Sequence, residues 1–429
     1  MNPIDPIAAV THRDPYPYYA TLVDGPPLAY DASLGLWVAS RAASVAAVLG
    51  HPGCRVRPLD MPVPPALRGT TAGALFGELV RMNDGALRHD VPKQALRAAL
   101  ASVDAHALRD RAARIAAGRL PARLDADALN AWCMTTPVCA VAAQLGFDEP
   151  QLDAIAASVV DFVAALSPLS DDAALARASD AARQLLDRMT ERVANARAQD
   201  GTLVDAIRQS ARETGWHASG ALVANLVGLL SQTCEATAAW LGNAVVAWHE
   251  TNGAAEAVFD ARDDAAFDAF VAEVGRFDSP VQNTRRFVAA RTTIEGASVE
   301  AGDAILVVLA AANRDPAVHR DPQRLMPGRA PGPNFGFGAG GARLSGRTNR
   351  AGGHGGSVRG AVARGRWAAA RCAEVGLPRL DQRQDAEVRG GVVAGKRELI
   401  GSLASPPIVP GRRRGAARVR RGRPRRFAC

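Results

Sequence analysis

Residues 219–248 carry the longest helical pattern in the chain, apolar on nearly every face. A helix of that kind has no polar side to give to water, so it must run through the core of a large protein or across a bilayer. Ser231, Gln232, Thr233, Glu235 and Thr237 interrupt it near its middle. Polar side chains there are costly to bury unless each finds a partner, which makes the cluster a candidate site inside the core.

The rest of the pattern surrounds this helix with others. Ala, Leu, Arg and Asp recur at helical spacing across 95–124, 152–166, 172–198 and 203–213, and a further helix is predicted over 263–278. The run Asp14-Pro-Tyr-Pro-Tyr-Tyr suits a short opening helix. Residues 27–30, a polar turn from Asp31 to Ser33, and residues 36–39 read as a β-hairpin. Pro280 opens an extended region with short strands around 286–289, 292–294 and 305–308, and the Pro-rich stretch 322–333 is loop. The chain is expected to be mainly α with small β-sheets.

Charge divides the chain sharply. Residues 341–429 hold 21 Lys and Arg against 5 Asp and Glu, and residues 1–340 hold 30 against 38, so a net −8 precedes a net +16. A basic balance ordinarily points to nucleic acid or an anionic membrane surface; here the pointer belongs to the tail alone. No apolar leader core follows Met1 and no uninterrupted apolar run reaches the roughly 18 residues of a membrane span, so a cytoplasmic protein is expected, with no membrane as partner. Cys54, Cys133, Cys139, Cys234, Cys372 and Cys429 are scattered without a CxxC pair or zinc spacing, so reduced thiols are expected rather than disulfides or a structural metal.

Other residues carry chemistry by their spacing. Glu273 and Arg276 sit three positions apart on one predicted helix face, where carboxylate and guanidinium can pair, and Arg324 follows in the loop Asp321-Pro-Gln-Arg-Leu325. His89 and Lys93, at i and i+4, place two cations on one helix face, suited to charge-assisted bonds with carboxylates. Further on, Asn334-Phe-Gly-Phe-Gly-Ala-Gly340 forms a glycine-rich loop.

Taken in order, these motifs resemble the cytochrome P450 superfamily of the bacterial soluble type, over most of residues 1–340. The Phe-Gly-x-Gly run around Phe337 and Gly338 resembles the approach to the family's haem-thiolate ligand loop, and Glu273, Arg276 and Arg324 resemble its Glu-x-x-Arg plus Arg triad. The resemblance implies the P450 fold, haem b as cofactor, and monooxygenation of a small hydrophobic substrate. It also implies electrons from NAD(P)H through a reductase and a ferredoxin-type partner. His89, Lys93 and Arg285, with Arg286 as second choice, are then the residues expected to bind haem propionates. Lys93 stands where the family usually has arginine, so its contact would be a point charge rather than a fork. In the long helix, Glu235 matches the family's relay acid, while Ala236 stands where the relay threonine is usual and Thr237 comes one residue later. That leaves Glu235 and Thr237 as the candidate catalytic pair and opens the way to a peroxide-using or otherwise unusual P450 chemistry.

One departure dominates the rest. The slots for the loop's His and axial Cys hold Ala342 and Leu344, so the metal ligand is absent. The codon table offers a reason. Gly341-Ala-Arg-Leu-Ser-Gly-Arg-Thr-Asn-Arg350 can be encoded as GGC GCA CGC CTG TCC GGG CGA ACG AAT CGC. Read one base later, and followed by G, that string gives Ala-His-Ala-Cys-Pro-Gly-Glu-Arg-Ile-Ala, the missing ligand loop in register. GC-rich codons read out of frame also yield the Arg, Gly and Ala that fill the tail. The expected organisation is a P450 domain lacking its ligand loop over 1–340 and an out-of-frame, disordered basic tail over 341–429. A competing reading takes the tail at face value, as a nucleic-acid-binding arm on a helical domain. It lacks interleaved aromatics, and the frame accounts for its arginines.

Overall fold

The structure, a computed structural model, describes residues 5–121, 125–166, 170–197, 201–250 and 264–337. The tail from residue 338 onward lies outside them, so the expected division at 340 and 341 falls on residues that are not described.

The helices among the described residues begin with α1 (Tyr16–Asp24), α2 (Ala42–Gly50), α3 (Thr71–Glu78), α4 (Val91–Ala101), α5 (Ala105–Gly118), α6 (Ala126–Gln144), α7 (Glu149–Ala164), α8 (Asp172–Asn195), α9 (Leu203–Thr214) and α10 (Ser219–Glu250). Then come α11 (Asp264–Phe277) and the short α12 (Leu309–Ala312). Two differences from the sequence pattern have physical causes. The pattern over 95–124 is broken because Asp104 caps a new helix, its Oδ1 accepting from the N–H groups of His106 and Ala107. Helix α6 is absent from the sequence reading because Pro137 lies inside it. Burial of Leu129, Trp132, Val138 and Cys139 against α5, α7 and α10 sustains it despite the missing N–H.

The main sheet has strand order β1-β2-β7-β4-β3. The predicted hairpin is β1 (Leu28–Asp31) with β2 (Leu36–Ala39), turned by Asp31 Oδ1, which accepts from the N–H groups of Ser33 and Leu34. β7 (Ala304–Val307) runs parallel to β2, while β4 (Thr284–Val288) runs antiparallel to both β7 and β3 (Cys54–Arg55). A separate hairpin joins β5 (Thr292–Ile294) and β6 (Ala297–Val299). One apolar cluster lies on each face of the main sheet, the first around α2 and Phe335, the second around Tyr19 of α1.

Helix α10 occupies the position its apolar pattern demands. Leu226, Val227, Leu229, Leu230, Cys234, Ala238, Leu241 and Val245 are buried in the helical core, and Trp240 packs with Phe267 and Phe270 of α11. Its polar interruption does not break the helix. Thr233 Oγ1 donates to the Leu229 carbonyl at 2.7 Å, and Ser231 Oγ and Gln232 Nε2 donate to that of Gly228 at 3.2 Å each. No described helix is long and apolar enough to cross a membrane.

Candidate active site

The C-terminal end of α11 carries a closed ion-pair network. Arg276 grips Glu273 with both edges of its fork, Nε to Oε2 and Nη2 to Oε1, each at 2.8 Å, and both side chains are buried. Arg276 also donates to the carbonyls of Asn313, Pro322 and Arg324, which ties three points of the following loop to the helix. The third cation is Arg329, not the expected Arg324. Arg329 Nε lies 3.0 Å from Glu273 Oε1, whereas Arg324 enters through its main-chain carbonyl. The loop turns back at Asp321 and again at Gly328, both at positive φ, and so delivers the later arginine to the carboxylate. Burial opposes the charge on Glu273. Hydrogen bonds from Arg276 and the Met326 N–H, with Arg329, outweigh it and hold the carboxyl below its ordinary value.

Directly after this network the chain enters the glycine-rich loop. Asn313 Oδ1 accepts from the Phe335 N–H at 2.7 Å, its Nδ2 donates to Ser279 Oγ and Asn334 Oδ1, and Asn334 Oδ1 accepts from the Gly336 N–H. His319 Nε2 meets the Pro333 carbonyl at 2.9 Å, and burial lowers the affinity of that imidazole for a proton. The main chain of residues 333–336 is thus fixed. Phe337 ends a 3-10 turn, Phe335–Phe337, and is the last described residue. Gly338, Ala342 and Leu344 lie outside the described residues.

On α10, Glu235 is half-buried and Thr237 is buried. Two residues apart on an unbroken α-helix, they are related by a rotation of about 200° and so lie on nearly opposite faces. The structure therefore separates the pair that sequence reading joined, because the helix shows no local distortion to bring Thr237 round. Thr237 Oγ1 is buried with no hydrogen-bond partner among the described residues.

The basic residues named from the sequence lie on three elements. His89 closes the π-helical turn Ala86–Asp90 before α4, with Lys93 Nζ 3.4 Å from its Nε2 and Asp90 Oδ1 2.8 Å from its Nδ1. Arg285 is buried on β4, where desolvation pulls its guanidinium down to about 10. Arg286 points to the opposite face of that strand, donating to Thr284 Oγ1 and the Arg285 carbonyl. Two arginines with no signal in the sequence join them. Arg57 is buried over the Phe76 ring with Nη2 on Asn83 Oδ1, and its Nη1 is buried with no hydrogen-bond partner among the described residues. Arg81 reaches α10, its Nη1 3.5 Å from Ser231 Oγ.

Comparison with known proteins places this arrangement. A sequence profile of the Cytochrome P450 family matches residues 266–334, the stretch that holds the ion-pair network and the start of the glycine-rich loop. The chain belongs to the cytochrome P450 superfamily. It is 34% identical over 175 residues to the putative cytochrome P450 133B2 of Xylella fastidiosa, a match covering 41% of this chain and 43% of that protein. The match thus spans less than half the length of that relative. Across a longer stretch it is 27% identical over 345 residues to the cytochrome P450 monooxygenase PikC of Streptomyces venezuelae, covering 76% of this chain and 78% of that one. The P450 fold itself is shared with the crystal structure of CalO2, at a TM-score of 0.68 and 23% identity, over 89% of this chain and 94% of that one.

A P450 implies haem, and the described residues fit that group in part. The orphaned Arg57 Nη1 and the desolvated Arg285 are suited to the carboxylates at its rim. Among the described residues no thiol is suited to serve as its axial ligand. Cys54, Cys133, Cys139 and Cys234 are buried free thiols, all shifted toward the protonated form by burial, Cys133 and Cys139 to about 12. Cys234, beside Glu235, turns its Sγ to the Met134 carbonyl of α6. Cys372 and Cys429 lie outside the described residues.

Proposed function

We propose that residues 1–340 are the scaffold of a haem-thiolate monooxygenase that hydroxylates a small hydrophobic molecule with dioxygen, and that the chain as written is inactive because its axial cysteine is lost to a shifted reading frame. The observation that carries this reading is the fixed loop at residues 333–336. Asn313 and the Glu273, Arg276 and Arg329 network hold it in place, yet the written sequence leaves the family pattern a few residues later.

A bound haem would supply the iron at which oxygen is activated. In this reading His89, Lys93 and Arg285 hold its carboxylates, with Arg57 as a further donor. Glu235 holds the proton passed to the distal side, a task Thr237 cannot share from its own face of α10. Electrons come from NAD(P)H through a reductase and a ferredoxin-type partner, and the protein works in the cytoplasm. Sequencing the gene across codons 338–341 tests the frame. A base gained or lost there, with Ala-His-Ala-Cys-Pro-Gly encoded downstream, is the expected result; verified DNA in the present frame that yields a functional haem protein overturns it.

A further inference from the structure

Arg81 sits at the polar interruption of α10, held there by an apparatus of its own. Asn225, two turns earlier on α10, clamps the segment before it: its Oδ1 accepts from the Val80 N–H at 2.7 Å and its Nδ2 donates to the Glu78 carbonyl at 2.9 Å. Gly228 lets Leu79 lie against the helix, since a Cβ there would come within 2.8 Å of Leu79 Cδ2. Residues 225, 228, 231 and 235 are spaced at three and four, so one stripe of α10 receives the segment and then the guanidinium.

The guanidinium is under-used. Among the described residues its one hydrogen bond is the 3.5 Å contact from Nη1 to Ser231 Oγ, long for such a bond, and Nε and Nη2 have no protein acceptor. Glu235 lies within electrostatic reach without a direct hydrogen bond. Burial nonetheless outweighs that carboxylate and pulls Arg81 down to about 10. The site therefore keeps one free fork edge beside the proposed relay acid. A planar carboxylate matches that edge, and the chain neighbours Leu79, Val80 and Met82 belong to the apolar core. A purely structural arginine would turn its fork to carbonyls, as Arg276 does.

Resting on the monooxygenase reading above, we propose that Arg81 selects the substrate, which is an apolar molecule bearing one carboxylate held on the Nε and Nη2 edge of its guanidinium. The test is equilibrium dialysis of dodecanoate and dodecanol against the full chain and the chain with its reading frame restored, each as the parent, Arg81→Gln and Arg81→Lys, with folding checked by circular dichroism. The parent should bind dodecanoate at least tenfold more tightly than dodecanol. Arg81→Gln should lose that preference with dodecanol binding unchanged, and Arg81→Lys should keep part of it. Equal affinity for acid and alcohol in a folded parent, no dodecanoate binding by it, or an acid preference that survives in Arg81→Gln overturns the proposal. Haem titration of the same proteins separates the two readings. Haem binding lost in Arg81→Gln while the acid preference stays assigns Arg81 to the cofactor and also overturns the inference; failure of the frame-restored parent to take up haem counts against the monooxygenase reading alone.

Discussion

The end of α11 and the middle of α10 are both polar regions buried in an apolar molecule, and they are finished in opposite ways. Around Glu273 the fork of Arg276, Arg329 and the Met326 N–H meet the carboxylate, and spare donors reach carbonyls. Around Glu235 the guanidinium of Arg81 makes one long bond, and on the other face Thr237 Oγ1 makes none among the described residues. A buried group left without partners costs free energy, which makes such a group a candidate for completion by a ligand. The closed network ties the scaffold; the other is where we propose the chemistry.

Substitutions separate the two regions. The largest effect is expected from Arg276→Ala, which strands the buried Glu273 carboxylate and should cost about 3–5 kcal/mol in urea denaturation, enough to unfold a marginal protein. Arg329→Ala should cost about 1–3 kcal/mol by the same measurement, and Arg324→Ala, which removes no contact of its carbonyl, within about 0.5 kcal/mol. Equal effects for those two arginines would dissolve the assignment of the third cation. Acid should act on the closed region first. Because the folded-state affinity of Glu273 for a proton is depressed, its contribution is complete above the ordinary carboxylate value of 4.5 and is lost as pH falls through the lower folded-state value. A stability profile below pH 5 should accordingly flatten in Glu273→Gln. Smallest of all, Thr237→Val should leave stability unchanged or slightly raised, since it removes a buried hydroxyl that has no described partner. A loss above about 1 kcal/mol would show that this hydroxyl is bonded after all.

The scaffold was legible in the sequence wherever periodicity and burial agree. Helix α10 and the hairpin of β1 and β2 lie within a few residues of their expected bounds, because an apolar stripe and an Asx turn are local signals. Helix α6 was hidden by Pro137, a local signal that packing overrides. The site was legible in part. Glu273 and Arg276 share one helical turn, whereas the choice between Arg324 and Arg329 depends on a loop path that no spacing rule fixes. Arg57 and Arg81 left no signal, since the contact of Arg81 on Ser231 spans 150 positions. Adjacency misled for Glu235 and Thr237, because neighbours on a helix do not share a face.

The central claim is that this chain is a P450 scaffold deprived of its thiolate by a shifted frame. It is tested most directly by the reduced carbon-monoxide difference spectrum of the 429-residue chain beside the chain with its frame restored. The restored chain should give the Soret band of a thiolate-ligated haem and the chain as written should not. A thiolate band from the chain as written, or none from a folded, haem-loaded restored chain, would contradict the account.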